Sequence, residues 1–344
     1  MDYYAGIDVS LEQSSVCVVD GIGKIVREAK VASEPEALSA FFLDLDLPLT
    51  RVGLEAGPLS QWLHAGLMAA GLEVVLLETR HVKAGLSAMT VKTDRQDARG
   101  IAQLLRMGWY RPVHCKSAPS QDIRALLTGR KLLLGKAKDV ELGIRGVLRG
   151  FGLKMGKISA GCFAARVREL AAGQPTLEQV TEAMLAARDV LRKQVSVLHR
   201  QVLAIVRADK VCRRLMTVPG VGAIVALTFK AAVDDPTRFA SSKTVGAHFG
   251  LTPRKYQSGE TDITGAISKT GDAMARVALY EAALVMLTRA RTSSSLKRWA
   301  MDVAKRRGMK RATVALARKL ATVLHRMWVD GADFRFGKEE AATA

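Results

Sequence analysis

Between Tyr3 and Val31 the chain alternates apolar and polar residues in three runs, YYAGIDV, SVCVVD and KIVREAKV, separated only by short turns. A period of two belongs to strands, and connections this short join antiparallel neighbours. Gly21 and Gly23 mark the second turn. The pattern then changes. A helix is expected from about Pro35 to Leu43, a buried strand at TRVGLEA, a helix from Leu59 to Ala69, and a second buried strand at LEVVLLE. A helix from about Thr93 to Met107 closes the segment. A meander followed by alternating helix and strand predicts a β-rich α/β domain whose hairpin sheet is extended by crossover units.

The chain has 344 residues, 49% of them apolar, which allows two or three domains with cores of their own. Its formal charge of +19 points to a polyanionic partner. The charge is uneven: residues 1–110 hold 10 Lys and Arg against 14 Asp and Glu, whereas the remainder holds 42 against 19. An acidic head on a basic body suits a metal-dependent site attached to a nucleic-acid grip; the plainer reading is a basic protein with solvated charged faces. Cys17, Cys115, Cys162 and Cys212 are far apart without CxxC pairing, which argues against zinc and against a disulfide framework. No run reaches about 18 uninterrupted apolar residues, and MDYYAGIDVS lacks the regions of a signal peptide. A soluble, cytoplasmic, nucleoid-associated protein with no membrane partner is expected.

From about Pro119 to Arg214 the reading is helical, broken by the glycine-rich GFGLKMGKISAGC. A long helix follows, with Thr176 expected as its N-cap and Gln179 as the capping-box partner. Met184, Leu191, Val195, Leu198, Val202 and Ile205 make a seam for another helix, either within the chain or in a second copy. TVPGVGAIVA then reads as a glycine turn of the helix-hairpin-helix kind whose backbone N–H groups either cradle a phosphate or only join helices. Two more helices are expected at 272–291 and 309–329, before a frayed tail.

The acids Asp8, in GIDVS, and Glu55, in VGLEAG, end the first strand and the central strand, while Asp94 and Asp97 share one face at the start of a helix. The element order fits the ribonuclease-H-like fold, in which the first and fourth strands are neighbours, so all four carboxylates would converge. Such a group repels itself unless divalent cations intervene, and hard oxygen donors favour Mg²⁺ or Mn²⁺. Two such ions clamp an in-line displacement at a phosphodiester. Taken singly, Asp8 reads equally as a turn residue and Asp94 as a helix cap. Ser258, in LTPRKYQSGE, stands where a hydroxyl would meet a phosphate between Arg254 and Lys255, or where a Ser-Gly turn is merely wanted. Lys92 and Arg95 beside the aspartates, and Lys269 and Arg276 beyond the serine, suit phosphate contacts. Aromatics make up only 5% of the chain, too few for a broad stacking platform.

GIDVS, GLEAG and KTDRQDA, then VPGVG, GLTPRKYQSGE and ISKTGD, in that order and from about residue 3 to 328, resemble the DEDD transposases of the IS-one-ten insertion sequences. The resemblance implies a RuvC-like catalytic domain over 1–112, a helical coiled-coil linker over 113–214, a mainly helical transposase domain over 215–330 and a flexible tail over 331–344. It implies metal binding by Asp8, Glu55, Asp94 and Asp97, and a nucleophile at Ser258 that forms a phosphoserine link to DNA. It further implies donor and target DNA, a structured non-coding bridge RNA, and a dimer or tetramer in which acids and serine come from different protomers. The competing expectations are a RuvC-like junction nuclease using metal-activated water and a non-catalytic nucleic-acid scaffold.

Overall fold

In the computed structural model, which describes residues 1–87 and 92–337, the three alternating runs form β1 (Tyr3–Asp8), β2 (Gln13–Asp20) and β3 (Ile25–Ala32). They are followed by α1 (Pro35–Leu43), β4 (Leu49–Glu55), α2 (Ser60–Ala69), β5 (Val74–Leu77), α3 (Thr79–Leu86) and α4 (Asp94–Arg106). The five strands make one sheet in the order β3-β2-β1-β4-β5. β1, β2 and β3 pair antiparallel, while β4 joins β1, and β5 joins β4, in parallel. This is the ribonuclease-H-like arrangement expected from the pattern. The helix α3 was not foreseen; its single buried residue, Val82, leaves almost no apolar period to read.

Alternation assigns each side chain to a face. Ala5, Ile7, Val16, Val18, Val52 and Leu54 point to one side of the sheet, where Leu38 and Phe42 of α1 and Leu63 and Leu67 of α2 cover them. Cys17 and Val19 point the other way, against Ala98 and Ala102 of α4. Both faces of the sheet centre are therefore buried, which is why β2 shows an unbroken run of buried residues.

By its contacts the chain divides once, into Met1–Lys116 and Ser117–Ala344. The second unit begins with α5 (Ala118–Gly150), α6 (Phe163–Ala171), α7 (Pro175–Ala208) and α8 (Lys210–Leu215). The seam on α7 packs against α5 as a hairpin within the chain. The glycine-rich break is a turn, with Gly152 at φ 77° and Gly156 at φ 65°. Around it, Ile144, Leu148, Phe163, Val167, Leu177 and Leu185 form a small core at the hairpin's far end. Two details differ from expectation. Helix α7 starts at Pro175, so Thr176 lies inside it and makes no cap; proline presets the helical φ and lacks the N–H that a cap would satisfy. It also ends at Asp209, whose extended backbone breaks the long helix and whose carboxylate accepts from Cys212 N at 2.7 Å to start α8.

The unit continues through α9 (Ala223–Val233), α10 (Val245–His248), β6 (Pro253–Ser258), β7 (Thr261–Ile267), α11 (Ala273–Thr288), α12 (Ser295–Arg307) and α13 (Met309–Asp330). Its core joins Leu127 of α5 and Val202 and Val206 of α7 to Phe229, Phe249, Leu279, Leu316 and Leu320. The helical hairpin is thus rooted in the same core as the last helices. In the VPGVG turn, Gly220 lies so close to α11 that a Cβ would come within 2.4 Å of Ala282 O. The start of the expected tail is held down: Ser295 N donates to Phe336 O at 2.9 Å, and Phe334 N to Thr217 Oγ1 at 3.0 Å. Residues 338–344 lie outside the described residues. Among the described residues no helix is long and apolar enough to cross a membrane.

Candidate active site

The same alternation that buries Ala5 and Ile7 turns Gly6 and Asp8 to the opposite face, and the same holds for Gly53 and Glu55 on β4. In the parallel register Gly6 faces Gly53 and Ile7 faces Leu54, which sets Asp8 and Glu55 side by side at adjacent strand ends. Helix α4 lies directly across the two glycines. A Cβ on Gly6 would stand 2.2 Å from Ala98 O, and one on Gly53 would stand 2.4 Å from a Leu105 methyl. Only hydrogen fits there. The contact brings the first turn of α4, with Asp94 and Asp97, over the ends of β1 and β4.

Thr93 caps the helix, its Oγ1 accepting from Gln96 N at 3.3 Å, so Asp94 is not needed as a cap. Asp94 and Asp97 both fall in the first turn, where the helix dipole favours negative charge. The electrostatics follow from this arrangement. Burial, then Asp97, Asp94 and Glu55, push the Asp8 carboxyl up to about 6, with only Lys92 opposing. Glu55 is raised too, by burial first, with Thr79 and Lys92 acting in the opposite sense. Among the described residues no group of three His, Cys, Asp or Glu side chains is drawn tightly enough together to hold a metal ion. The four acids share a neighbourhood, partly offset by Lys92, without closing into such a group. All the donors are carboxylate oxygens, a set that fits a hard divalent cation.

The basic residues around the aspartates divide. Lys92 is exposed beside the acids. Arg95, expected at a phosphate, is instead turned with Arg99 onto Glu28 of β3: Arg95 Nε donates to Oε2 at 2.8 Å, and so does Arg99 Nη2. These bonds, Arg99's first, pull the Glu28 carboxyl down to about 2. The clamp ties α4 to the third strand. Sequence reasoning missed Glu28, which carries no motif, and Thr79, whose hydroxyl also donates to Ala56 O at 3.0 Å.

Ser258 sits not in an open loop but at the last position of β6, paired with Thr261 across a two-residue turn. Gly259 opens that turn at φ 55°, the glycine-first form of a tight hairpin. Every residue of β6 and β7 except Ile267 is exposed. The signal was present in KYQSGETDI, an alternating run around Gly-Glu. Lys255 Nζ lies 3.1 Å from Asp262 on the adjacent strand, and Arg254 Nη2 donates to Ser268 O at 3.3 Å. Lys269 holds a left-handed φ of 56° where Gly250 and Gly271 pack closely, a strained position for a side-chain-bearing residue. Arg276 Nη1 donates to Phe249 O at 3.0 Å and Thr270 O at 2.8 Å, so it buttresses the base of the hairpin.

Two family descriptions match the chain in separate places. Residues 5–152 match a DEDD transposase domain, and residues 212–300 match the Transposase IS116/IS110/IS902 family. The chain is 28% identical over 341 residues to the transposase for insertion sequence element IS1111A of Coxiella burnetii, covering 96% of this chain and 91% of that one. It is 27% identical over 255 residues to the transposase for insertion sequence element IS1328 of Yersinia enterocolitica, covering 74% and 76%. Among solved structures, T. thermophilus RuvC in complex with Holliday junction substrate aligns with 33% of the chain and all of its own, at 16% identity and a TM-score of 0.27.

Proposed function

The chain belongs to the IS110 family of DEDD transposases, enzymes that cut and rejoin DNA, and from that premise we propose a reaction carried by two groups of its residues. Asp8, Glu55, Asp94 and Asp97 hold divalent cations, Mg²⁺ or Mn²⁺, and Ser258 is the nucleophile. Bound there, the cations would supply charge to a phosphate whose negative charge is growing. The observation that carries the reading is the convergence of four acids at two strand ends and one helix start, with the Asp8 carboxyl pushed up to about 6.

In the chemical step, Ser258 Oγ forms a bond to phosphorus as the bond from phosphorus to a deoxyribose oxygen breaks. The serine proton is lost and the departing oxygen takes one up. The phosphate stays bound to the protein as a phosphoserine diester. A hydroxyl from another strand then reverses the step and rejoins the DNA, so the number of phosphoester bonds is conserved. Lys92, Arg254 and Lys269 would hold phosphate oxygens, Lys255 would do so only by leaving Asp262 on the opposite face of the hairpin, and Arg276 keeps the serine hairpin in position. The acids and the serine lie in different units of the chain, and the reaction requires them around one phosphate. As the family resemblance implies, we propose an oligomer, a dimer or tetramer, in which one protomer's acids serve another's serine. The α5–α7 hairpin would act as the spacer. Sequence choice falls to a bridge RNA pairing with donor and target DNA, consistent with a chain rich in cations and poor in aromatics.

The test is the covalent intermediate. With DNA spanning the element ends, its co-purified RNA and Mg²⁺, wild-type protein yields an adduct that survives denaturant and carries phosphoserine at 258. Ser258→Ala lowers adduct and recombination by roughly three orders of magnitude or more. Free DNA ends cut at an undiminished rate by Ser258→Ala would instead identify a water-using nuclease. Sequencing the co-purified RNA tests guidance; RNA without loops complementary to two DNA sites rejects it.

A further inference from the structure

An isolated two-stranded hairpin is marginal in water, and β6–β7 presents both faces to solvent. The two faces are not alike. The register pairs Tyr256 with Ile263 and Ser258 with Thr261, so these four side chains share one face. Lys255, Gln257, Asp262 and Thr264 share the other, where Lys255 and Asp262 satisfy each other at 3.1 Å. The serine's face therefore carries an unpaired apolar pair, Tyr256 at 63% and Ile263 at 57% exposure, large side chains normally covered by something.

We propose that Tyr256 stacks on the nucleobase next to the phosphate that Ser258 attacks, with Ile263 as the floor beneath the ring. This rests on the reading of Ser258 as nucleophile. Residues two apart on a strand lie about 6.8 Å apart, within one nucleotide's reach. An aromatic there fixes the strand by a face that every base offers, which suits an enzyme whose own side chains need not read sequence. The occupant is a DNA strand because the family's substrate is DNA. Charge agrees: beyond residue 110 the chain holds 42 Lys and Arg against 19 Asp and Glu. Tyr256 is thus a positioning residue: it orients the strand while the hydroxyl two residues on reacts.

The probe is a single-stranded oligothymidylate, part of whose thymidine is replaced by 5-iododeoxyuridine, photocrosslinked to the full-length protein and mapped by mass spectrometry. The expected result is a principal crosslink at Tyr256, in both wild type and Ser258→Ala. For plain oligothymidylate, Tyr256→Ala weakens binding about five- to 150-fold, while Tyr256→Phe and Tyr256→Trp stay within about twofold. Thermal unfolding of all three variants should match wild type, since the ring is 63% exposed and lies outside the core. If the serine reading alone is wrong, no protein forms an adduct yet the Tyr256 crosslink persists. Three results overturn the stacking proposal: unchanged binding by Tyr256→Ala; a changed oligomeric state with intact DNA binding, which gives the face to a second copy; and preferential crosslinking of Tyr256 to the equivalent oligouridylate, which gives it to RNA.

Discussion

At the scale of single residues, Asp8 pits function against stability. Its folded carboxyl titrates near 6 against an ordinary 3.8, so between those values the folded protein holds a proton that the unfolded chain gives up. Stability from this group is complete below pH 4 and is lost as pH rises through 6. The Glu28 carboxyl, held at about 2, works in the opposite sense, and its contribution disappears only as pH falls below about 4.5. Between pH 4.5 and 6.5 Glu55, whose carboxyl is also raised, acts in the same sense as Asp8, while burial of His64, which lowers its imidazole, acts against both. Metal-free protein should show a falling melting temperature across this window, Asp8→Asn should make that fall shallower, and Mg²⁺ at pH 7.5 should raise wild type but not Asp8→Asn. A flat wild-type profile would mean that Asp8 is neither buried nor crowded by the other acids, and would take away the support it lends the metal reading. Gly6 gives a second residue-scale prediction. Gly6→Ala drives a methyl into Ala98 O, costing roughly 1–3 kcal/mol and lifting α4 from the sheet. Thermal melts and loss of Mg²⁺ stabilisation read the two effects together.

Elements act by carrying these residues to a place. Helix α4 is held flat by two glycines beneath it and laterally by Arg95 and Arg99 on Glu28. Glu28→Gln removes the anion both guanidinium groups share; the expected loss is about 1–2 kcal/mol, because Arg95 is largely exposed and its part is screened. Hydrogen exchange should quicken in the first turn of α4 before it does so in β1. In the β6–β7 hairpin, Gly259 at φ 55° fixes where the strand ends and hence where Ser258 points. Gly259→Val should cost about 1–2 kcal/mol locally and lower adduct yield with little change in global unfolding, since the hairpin meets the core only through Ile267 at its far end. Adduct yield equal to wild type would detach the turn from the chemistry.

For the whole molecule the division of charge predicts a division of labour. Residues 1–116 hold 12 Lys and Arg against 14 Asp and Glu, and residues 117–344 hold 40 against 19. Non-specific DNA affinity should fall steeply with salt, and a fragment of residues 117–344 should retain nearly the full salt slope, because counterion release follows the cations. A fragment of residues 1–116 should bind DNA weakly without divalent ions. A steep slope in that fragment, read by fluorescence anisotropy, would contradict the assignment.

The sequence alone determined the sheet and its order, because period-two alternation and connection length leave few topologies open to five strands. It also pointed to the four acids and the serine. The two glycines Gly6 and Gly53 each stand two residues before an acid, a pattern visible in GIDVS and GLEAG whose meaning, a helix lying flat on that face, needs both strands in register. Tertiary structure alone decided that Arg95 turns to Glu28 and that Arg276 braces backbone carbonyls, whereas the hairpin at KYQSGETDI and the start of α7 at Pro175 were written in local signals that sequence reasoning missed. Periodicity is a local property written into neighbouring residues. The partner a long charged side chain selects is set by what folding brings within reach, from tens of residues away, and no local pattern encodes it.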